Sequence, residues 1–388
     1  MKEREFSVIT AYDNGNSAVA TDTNSIIAHT LHDFMTTPSH FDDFMPQPLA
    51  ESGHKRISRR AVLANLLASS SASCLSRTNL LPAVTLASAA CHSGCVPQSK
   101  VRREPELVWG RRGFSEGRLL KPRAMAINAQ DELFIVDMKG HIQVFDIDGN
   151  YLRGWRTPII TQGKPTGLGF ARDGSLLVAD THYFRMLVYS QTGELDETRT
   201  IGGEHGDQPG QFHFVTDVVE GPNGHFYIGQ YGQIDRIQEF DPQGKFIRSW
   251  GSQGSEPEQF SRPQALAFDS SGLLWVADAC NHRIQVFDLS GSKPQLERMW
   301  GQPGNQVGEL NCPYGMDFDS QGNLLLAEFG NHRVQRFSRD GQSLETWGGV
   351  GAEPGLFQRP WALITDSRRN VHVLDSENHR VQRFRNAG

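Results

Sequence analysis

Seven residues near the end of the chain, Asn378-His379-Arg380-Val381-Gln382-Arg383-Phe384, stand unchanged at 331–337. With two substitutions they stand again at 281–287 as Asn281-His282-Arg283-Ile284-Gln285-Val286-Phe287. A motif copied at a near-constant period means that one small unit is repeated, and such a unit buries its apolar face only against its neighbours. Aligned on the acidic residue ahead of the motif, six units pass through Asp137, Asp180, Gln230, Asp278, Glu328 and Asp375, the third carrying an amide instead. The spacings are 43, 50, 48, 50 and 47 residues. A chain of 388 residues can therefore hold most of its length in one repeat array rather than in two or three domains.

Each unit reads as four short strands. In the fourth, Gln264-Ala265-Leu266-Ala267-Phe268 is a small-residue apolar run, Asp269-Ser270-Ser271-Gly272 turns it, and Leu273–Asp278 is a second strand. Arg283–Phe287 alternates as a third, and an outer strand ends in Met299-Trp300-Gly301. The Trp-Gly ending recurs at Trp250-Gly251 and Trp347-Gly348. No such strand follows Phe384, but Leu107-Val108-Trp109-Gly110 stands ahead of the first inner strand. These features predict an all-β, six-bladed β-propeller over 106–388, closed by pairing its first strand with its last blade, which removes the exposed edges that an open six-blade array would leave.

The pattern Asp-x-x-Asn-His-Arg-[Ile/Val]-Gln, preceded by segments such as Gly210-Gln211-Phe212-His213-Phe214-Val215, resembles the NHL-repeat family of six-bladed propellers. The resemblance covers about three-quarters of the chain and is closest in units four to six. Unit one lacks the Arg and is a residue short, unit two has Phe184 where His is usual, and unit three carries Gln230 and an extra residue. His141, His282, His332 and His379 are expected in equivalent places on different blades, too far apart to share a zinc ion. They are read, with the acids and with Arg283, Arg333 and Arg380, as structural. Glycine runs such as Gly202-Gly203-Glu204-His205-Gly206 have no helix behind them and are read as loops between blades, not phosphate cradles.

The candidate site lies just after the residue that opens each inner strand. There the six units carry Arg123, Thr166, Thr216, Gln264, Tyr314 and Trp361, expected around the mouth of the central channel, with Asp217 beside them. The resemblance implies two families of activity to weigh. Peptide-amidating lyases place zinc-binding histidines at this position, and this sequence has none there. Lactonase-like propellers bind calcium through acidic and amide groups, for which only Asp217 and, deeper, Asp317 could supply carboxylates; calcium prefers six to eight oxygens. No nucleophile stands at a readable spacing from a base. The leading expectation is a non-catalytic module, without cofactor, that binds a protein, glycan or small molecule at the mouth. The alternative is a metal-dependent lyase or hydrolase, with calcium, using Asp217, Asp317 and Arg123.

Charge and the leader bear on partners. From residue 106 onward 28 Lys and Arg face 35 Asp and Glu, and a net charge of −7 disfavours a phosphate backbone, so no nucleic acid is expected. Residues 1–54 are polar and expected to be disordered. Residues 55–91 contain Ser58-Arg59-Arg60-Ala61-Val62-Leu63 and two small-residue apolar runs, which resemble a twin-arginine export signal, with Ala87-Ser88-Ala89 as a cleavage candidate. Cys74 and Cys91 are acylation candidates that would anchor the chain, a start at Met45 would shorten the leader, and a plain linker is the alternative. Residues 92–105 read as a linker. The expectation is an exported, periplasmic or envelope-associated monomer. In that compartment Cys280 and Cys312, on one face of adjacent blades, are expected to pair in a disulfide or else to remain free thiols.

Overall fold

A computed structural model describes residues 103–385, within the compact unit Cys95–Gly388. The leader segments 1–54 and 55–91, with Cys74 and Cys91, lie outside the described residues. After a first strand β1 (Leu107–Trp109), the chain builds six antiparallel sheets of four strands. Blade one is β2 (Ala124–Ile127), β3 (Leu133–Val136), β4 (His141–Phe145) and β5 (Tyr151–Arg156). Blade two is β6 (Gly167–Phe170), β7 (Leu176–Asp180), β8 (Arg185–Tyr189) and a two-residue β9 (Ile201–Gly202). Blade three runs from β10 (Phe214–Glu220) through β11 (Phe226–Tyr231) and β12 (Arg236–Phe240) to β13 (Phe246–Trp250). Blade four is β14 (Pro263–Phe268), β15 (Leu274–Asp278), β16 (Arg283–Asp288) and β17 (Gln295–Trp300). Blade five is β18 (Pro313–Phe318), β19 (Leu324–Glu328), β20 (Arg333–Phe337) and β21 (Ser343–Gly348). The last blade is β22 (Pro360–Thr365), β23 (Val371–Asp375) and β24 (Arg380–Phe384), completed by β1. The closure read from the sequence is present, with Leu107 opposite Arg383 and Trp109 opposite Val381.

Packing explains the recurrent residues. Second strands such as β15 and β19 are buried throughout, whereas β17 alternates exposed and half-buried residues as the outermost strand should. Aromatic side chains bridge blades: Trp275 meets Phe318 edge-on at 5.3 Å, and Trp109 lies 4.8 Å from Phe145. Such pairs contribute about 0.5–1.5 kcal/mol each beyond the area they bury. Two of the Trp-Gly tryptophans, Trp109 and Trp300, also cover a turn glycine of the following blade. A Cβ added at Gly149 would come within 2.4 Å of Trp109, and one at Gly341 within 2.6 Å of Trp300, so the turn admits no side chain.

The repeated heptad holds the loop that precedes it. In blade four Arg283 donates from Nε to Asp278 (2.8 Å) and from its Nη atoms to the carbonyls of Ser255, Glu256 and Gln259. Asn281 donates to Asp278 and to the Gly254 carbonyl, and Gln285 donates to the Gln259 carbonyl. Arg333 with Glu328 and Arg380 with Asp375 repeat the arrangement, as structural readings of these residues require. The histidines have a second task. His282, His332 and His379 follow the turn in the left-handed region (φ 54°, 55° and 58°), and each Nδ1 accepts a backbone N–H from the next blade. Those donors are Cys312 (3.1 Å), Arg359 (3.0 Å) and Lys121 (2.9 Å).

Blade one departs from the expected alignment. Gly140 takes the left-handed position there, and His141 opens β4 opposite Arg156, so His141 is not the equivalent of the other three histidines. In blade three Asp235 replaces the histidine, accepting the Arg262 N–H on Oδ2 at 2.5 Å.

Candidate ligand site at the channel mouth

The inner strands converge on the channel, and the residues just ahead of them are forced into an unusual conformation. Lys121, Arg262, Cys312 and Arg359 each precede a proline and each has positive φ (44°, 60°, 49° and 53°). Left-handed backbone in a non-glycine residue costs free energy and persists only where the surroundings dictate it. The surroundings are the histidine or aspartate acceptors just described, which tie down each N–H. This turn aims the side chain of Arg262 at its neighbours around the mouth: its guanidinium lies over Tyr231 at 4.7 Å and over Tyr314 at 5.2 Å, and Nε donates to Gln264 at 2.9 Å.

The predicted mouth residues do come together around the ring, in two different ways. On one side Tyr314 stacks on Phe329 (4.5 Å) and meets Trp361 edge-on (5.0 Å), and Arg123 lies 5.2 Å over the Trp361 ring. Arg359 lies 5.3 Å over Phe329. On the other side the polar groups are consumed by the scaffold. The Thr166 hydroxyl contacts that of Thr181 and the Thr216 carbonyl, and Thr216 donates to the Pro263 carbonyl at 2.5 Å. Thr166 and Thr216 therefore fasten blade to blade, and the chemistry of the mouth belongs to the Arg123, Gln264, Tyr314 and Trp361 side.

Asp217 and Asp317 are also structural staples. Asp217 Oδ2 accepts the Leu266 N–H (2.9 Å) and Asp317 Oδ2 accepts the Thr365 N–H (2.7 Å), each from the inner strand of the next blade. Burial pushes Asp217 up to about 7 and Asp317 up to about 6, because no cation offsets the loss of hydration. No group of three or more His, Cys, Asp or Glu among the described residues is placed to hold a metal ion. The donor set does not fit the calcium that lactonase-like propellers bind, since each carboxylate is committed to a backbone N–H and neither joins a cluster.

The disulfide expectation is corrected: Cys280 and Cys312 are free thiols in this structure. Cys312 packs with Ala279, Tyr314 and Phe329, and burial pushes its thiol up to about 12, so its sulfur belongs to the apolar floor of the mouth.

Electrostatics at the mouth run opposite to those of the whole propeller. Burial, followed by the charge of Arg262, lowers the pKa of Arg123. His182 is pushed down to about 4 by burial and then by Arg123, with Lys164 and Arg262 adding to the effect, and is a neutral imidazole at physiological pH. The sequence reading missed Arg262, Tyr231, Phe329 and His182. The signal available for Arg262 was its place before a blade-opening proline, where basic residues also stand in units one, two and six as Lys121, Lys164 and Arg359.

Six four-stranded blades around a channel define a six-bladed β-propeller protein. Residues 114–349 match the family described as SMP-30/Gluconolactonase/LRE-like region, and the chain belongs to that family. Human NHL repeat-containing protein 3 is 28% identical over 176 residues, covering 42% of this chain and 51% of that protein. Rat peptidylglycine alpha-amidating monooxygenase is 30% identical over 193 residues, covering 46% of this chain and 18% of that protein. The chain thus spans about half the length of the first relative and under a fifth of the second. Among solved structures, one assigned as a gluconolactonase has a TM-score of 0.52 at 15% identity, covering 74% of this chain and 94% of that one. A streptogramin B lyase has a TM-score of 0.50 at 15% identity, covering 71% and 86%. At that identity both share the fold alone.

Proposed function

We propose that this chain is an exported ligand-binding propeller that receives a small molecule at its channel mouth. The observation that carries the reading is the convergence of Arg262 with Tyr231, Gln264 and Tyr314, beside Trp361 and Phe329. Aromatic walls with a few convergent polar groups are the usual make-up of a small-molecule site. Export rests on the resemblance of the Ser58-Arg59-Arg60 segment to a twin-arginine signal.

A compound library screened by thermal shift against the full chain tests this. Ligands should raise the melting temperature of the native protein and lose that effect in Trp361→Leu. Ligands that stabilise native protein and variant equally would refute a site at the mouth. Family membership favours one second reading, a lyase or hydrolase. Turnover of a lactone or lyase substrate by the native protein would establish it in place of the binding module.

A further inference from the structure

We infer, building on the mouth as the ligand site, that its ligand is an organic anion: a planar oxyacid group, such as a carboxylate, on a flat apolar body. Arg262 is enclosed by blades three to five but only half-buried, so what reaches it arrives through the mouth. Its contacts with Tyr231 and Tyr314 use the face of the guanidinium, and Gln264 takes Nε. Asp235 uses its carboxylate on the Arg262 backbone N–H, and no described carboxylate lies within ion-pair distance of the guanidinium. The Nη edge is what remains, and a guanidinium edge matches a planar oxyanion through two parallel N–H···O bonds.

The second observation is the company Arg262 keeps. Arg123 approaches from blade one closely enough for the two cations to disfavour each other, and Lys164 adds to the positive field felt by His182. Glu377 offsets part of this at Arg123, and the Arg262 charge acts on Asp235; the like charges still oppose each other in a half-dry site, which favours an anion placed between them. The apolar body has its own complement. Trp361, Tyr314 and Phe329 pack as one aromatic cluster beside Arg123. Tyr314 and Phe329 are buried behind the half-buried Trp361, so the mouth offers charge beside the Trp361 ring, in a propeller whose net charge is of the ligand's own sign.

The test is titration calorimetry of the full chain with three probes of one shape: 1-naphthoate, 1-naphthalenemethanol and 1-naphthylmethylammonium. Naphthoate should bind at least tenfold more tightly than the alcohol, with the ammonium weakest, and added salt should narrow the gap. Arg262→Gln should bring naphthoate and alcohol to equal affinity, and Arg262→Lys should restore only part of the difference. The ranking in native protein needs no variant, so it stands even if an Arg262 variant folds poorly. Equal or tighter binding of the alcohol or the ammonium overturns the anion inference. If that binding is lost in Trp361→Leu, the mouth survives as the ligand site; if Trp361→Leu leaves it unchanged, both readings fall. No heat from any probe at millimolar concentration also overturns the anion inference, while hits from the library screen decide separately whether the mouth binds other ligands.

Discussion

Replacing Arg283 with methionine isolates the physics of the repeated motif. Arg283 is 7% exposed, and its side chain forms four hydrogen bonds, one to Asp278 and three to the carbonyls of Ser255, Glu256 and Gln259. Methionine fills much of the same volume, so the loss is electrostatic rather than a cavity. It leaves a fully buried Asp278 without its cation, and removing one partner of a buried ion pair costs about 3–5 kcal/mol. Asp278 keeps donors from Asn281, the Ser261 N–H and Gln285, which places the expected loss near the lower end, at about 3 kcal/mol. At roughly 2–4 °C per kcal/mol for a domain of this size, the melting temperature should fall by about 6–12 °C. The effect should also be local, because the three carbonyls belong to the loop leading to Arg262. Hydrogen exchange should rise in residues 252–261 before it rises in β15, and naphthoate binding should weaken with it. Arg385→Ala is the control: its pair with Glu106 lies at the surface, the Arg side chain 79% exposed, and no measurable change is expected. A melting temperature within about 2 °C of the native value, with the loop still protected, would show that the motif does not hold the loop.

Four further outcomes follow from the same geometry. Burial lowers the pKa values of His282, His332 and His379 below 6.5, so the unfolded chain binds protons more readily than the native one. Their contribution to stability is complete above pH 6.5 and diminishes as pH falls below it, which denaturant titrations from pH 8 to 5 should show. His332→Ala strands the Arg359 N–H and should cost about 1–3 kcal/mol; His332→Asp, copying Asp235, should recover part of that in the same titrations. Asp217 has the opposite sign: its folded pKa of about 7 lies above the unfolded value of 3.8, so its ionisation weakens the fold as pH rises from 3.8 to 7. Asp217→Asn can still accept the Leu266 N–H and should be more stable than the native protein at pH 8 but not at pH 4; a loss at pH 8 would contradict the desolvation argument. A chain beginning at Arg111 lacks β1 and exposes the edge of β24, and should aggregate on light scattering where a chain beginning at Arg103 does not.

Blade number, strand order and ring closure were all legible in the sequence. Alternation, turn residues and the Trp-Gly endings are local signals, and a repeated unit gives neighbours little choice of partner. The heptad also announced its structural role, because Asp278, Asn281, Arg283 and Gln285 meet within one turn and the strand after it. The site was half legible. Counting one residue past each opening proline found Arg123, Gln264, Tyr314 and Trp361, but it gave Thr166 and Thr216 the same standing, although the scaffold uses both. It also made Asp217 and Asp317 metal candidates, since a sequence does not show that a backbone N–H already occupies a carboxylate.

The sequence by itself determined a closed ring of six blades, because the period and the pairing rules act over one repeat at a time. Only the tertiary structure decided which residues share the mouth. Inner strands from distant repeats converge on one axis, and a left-handed residue before four of the opening prolines, at Lys121, Arg262, Cys312 and Arg359, redirects a side chain by an amount that no spacing rule reports. Arg123 and Arg262 therefore act on each other across the ring, although nothing in either repeat names the other.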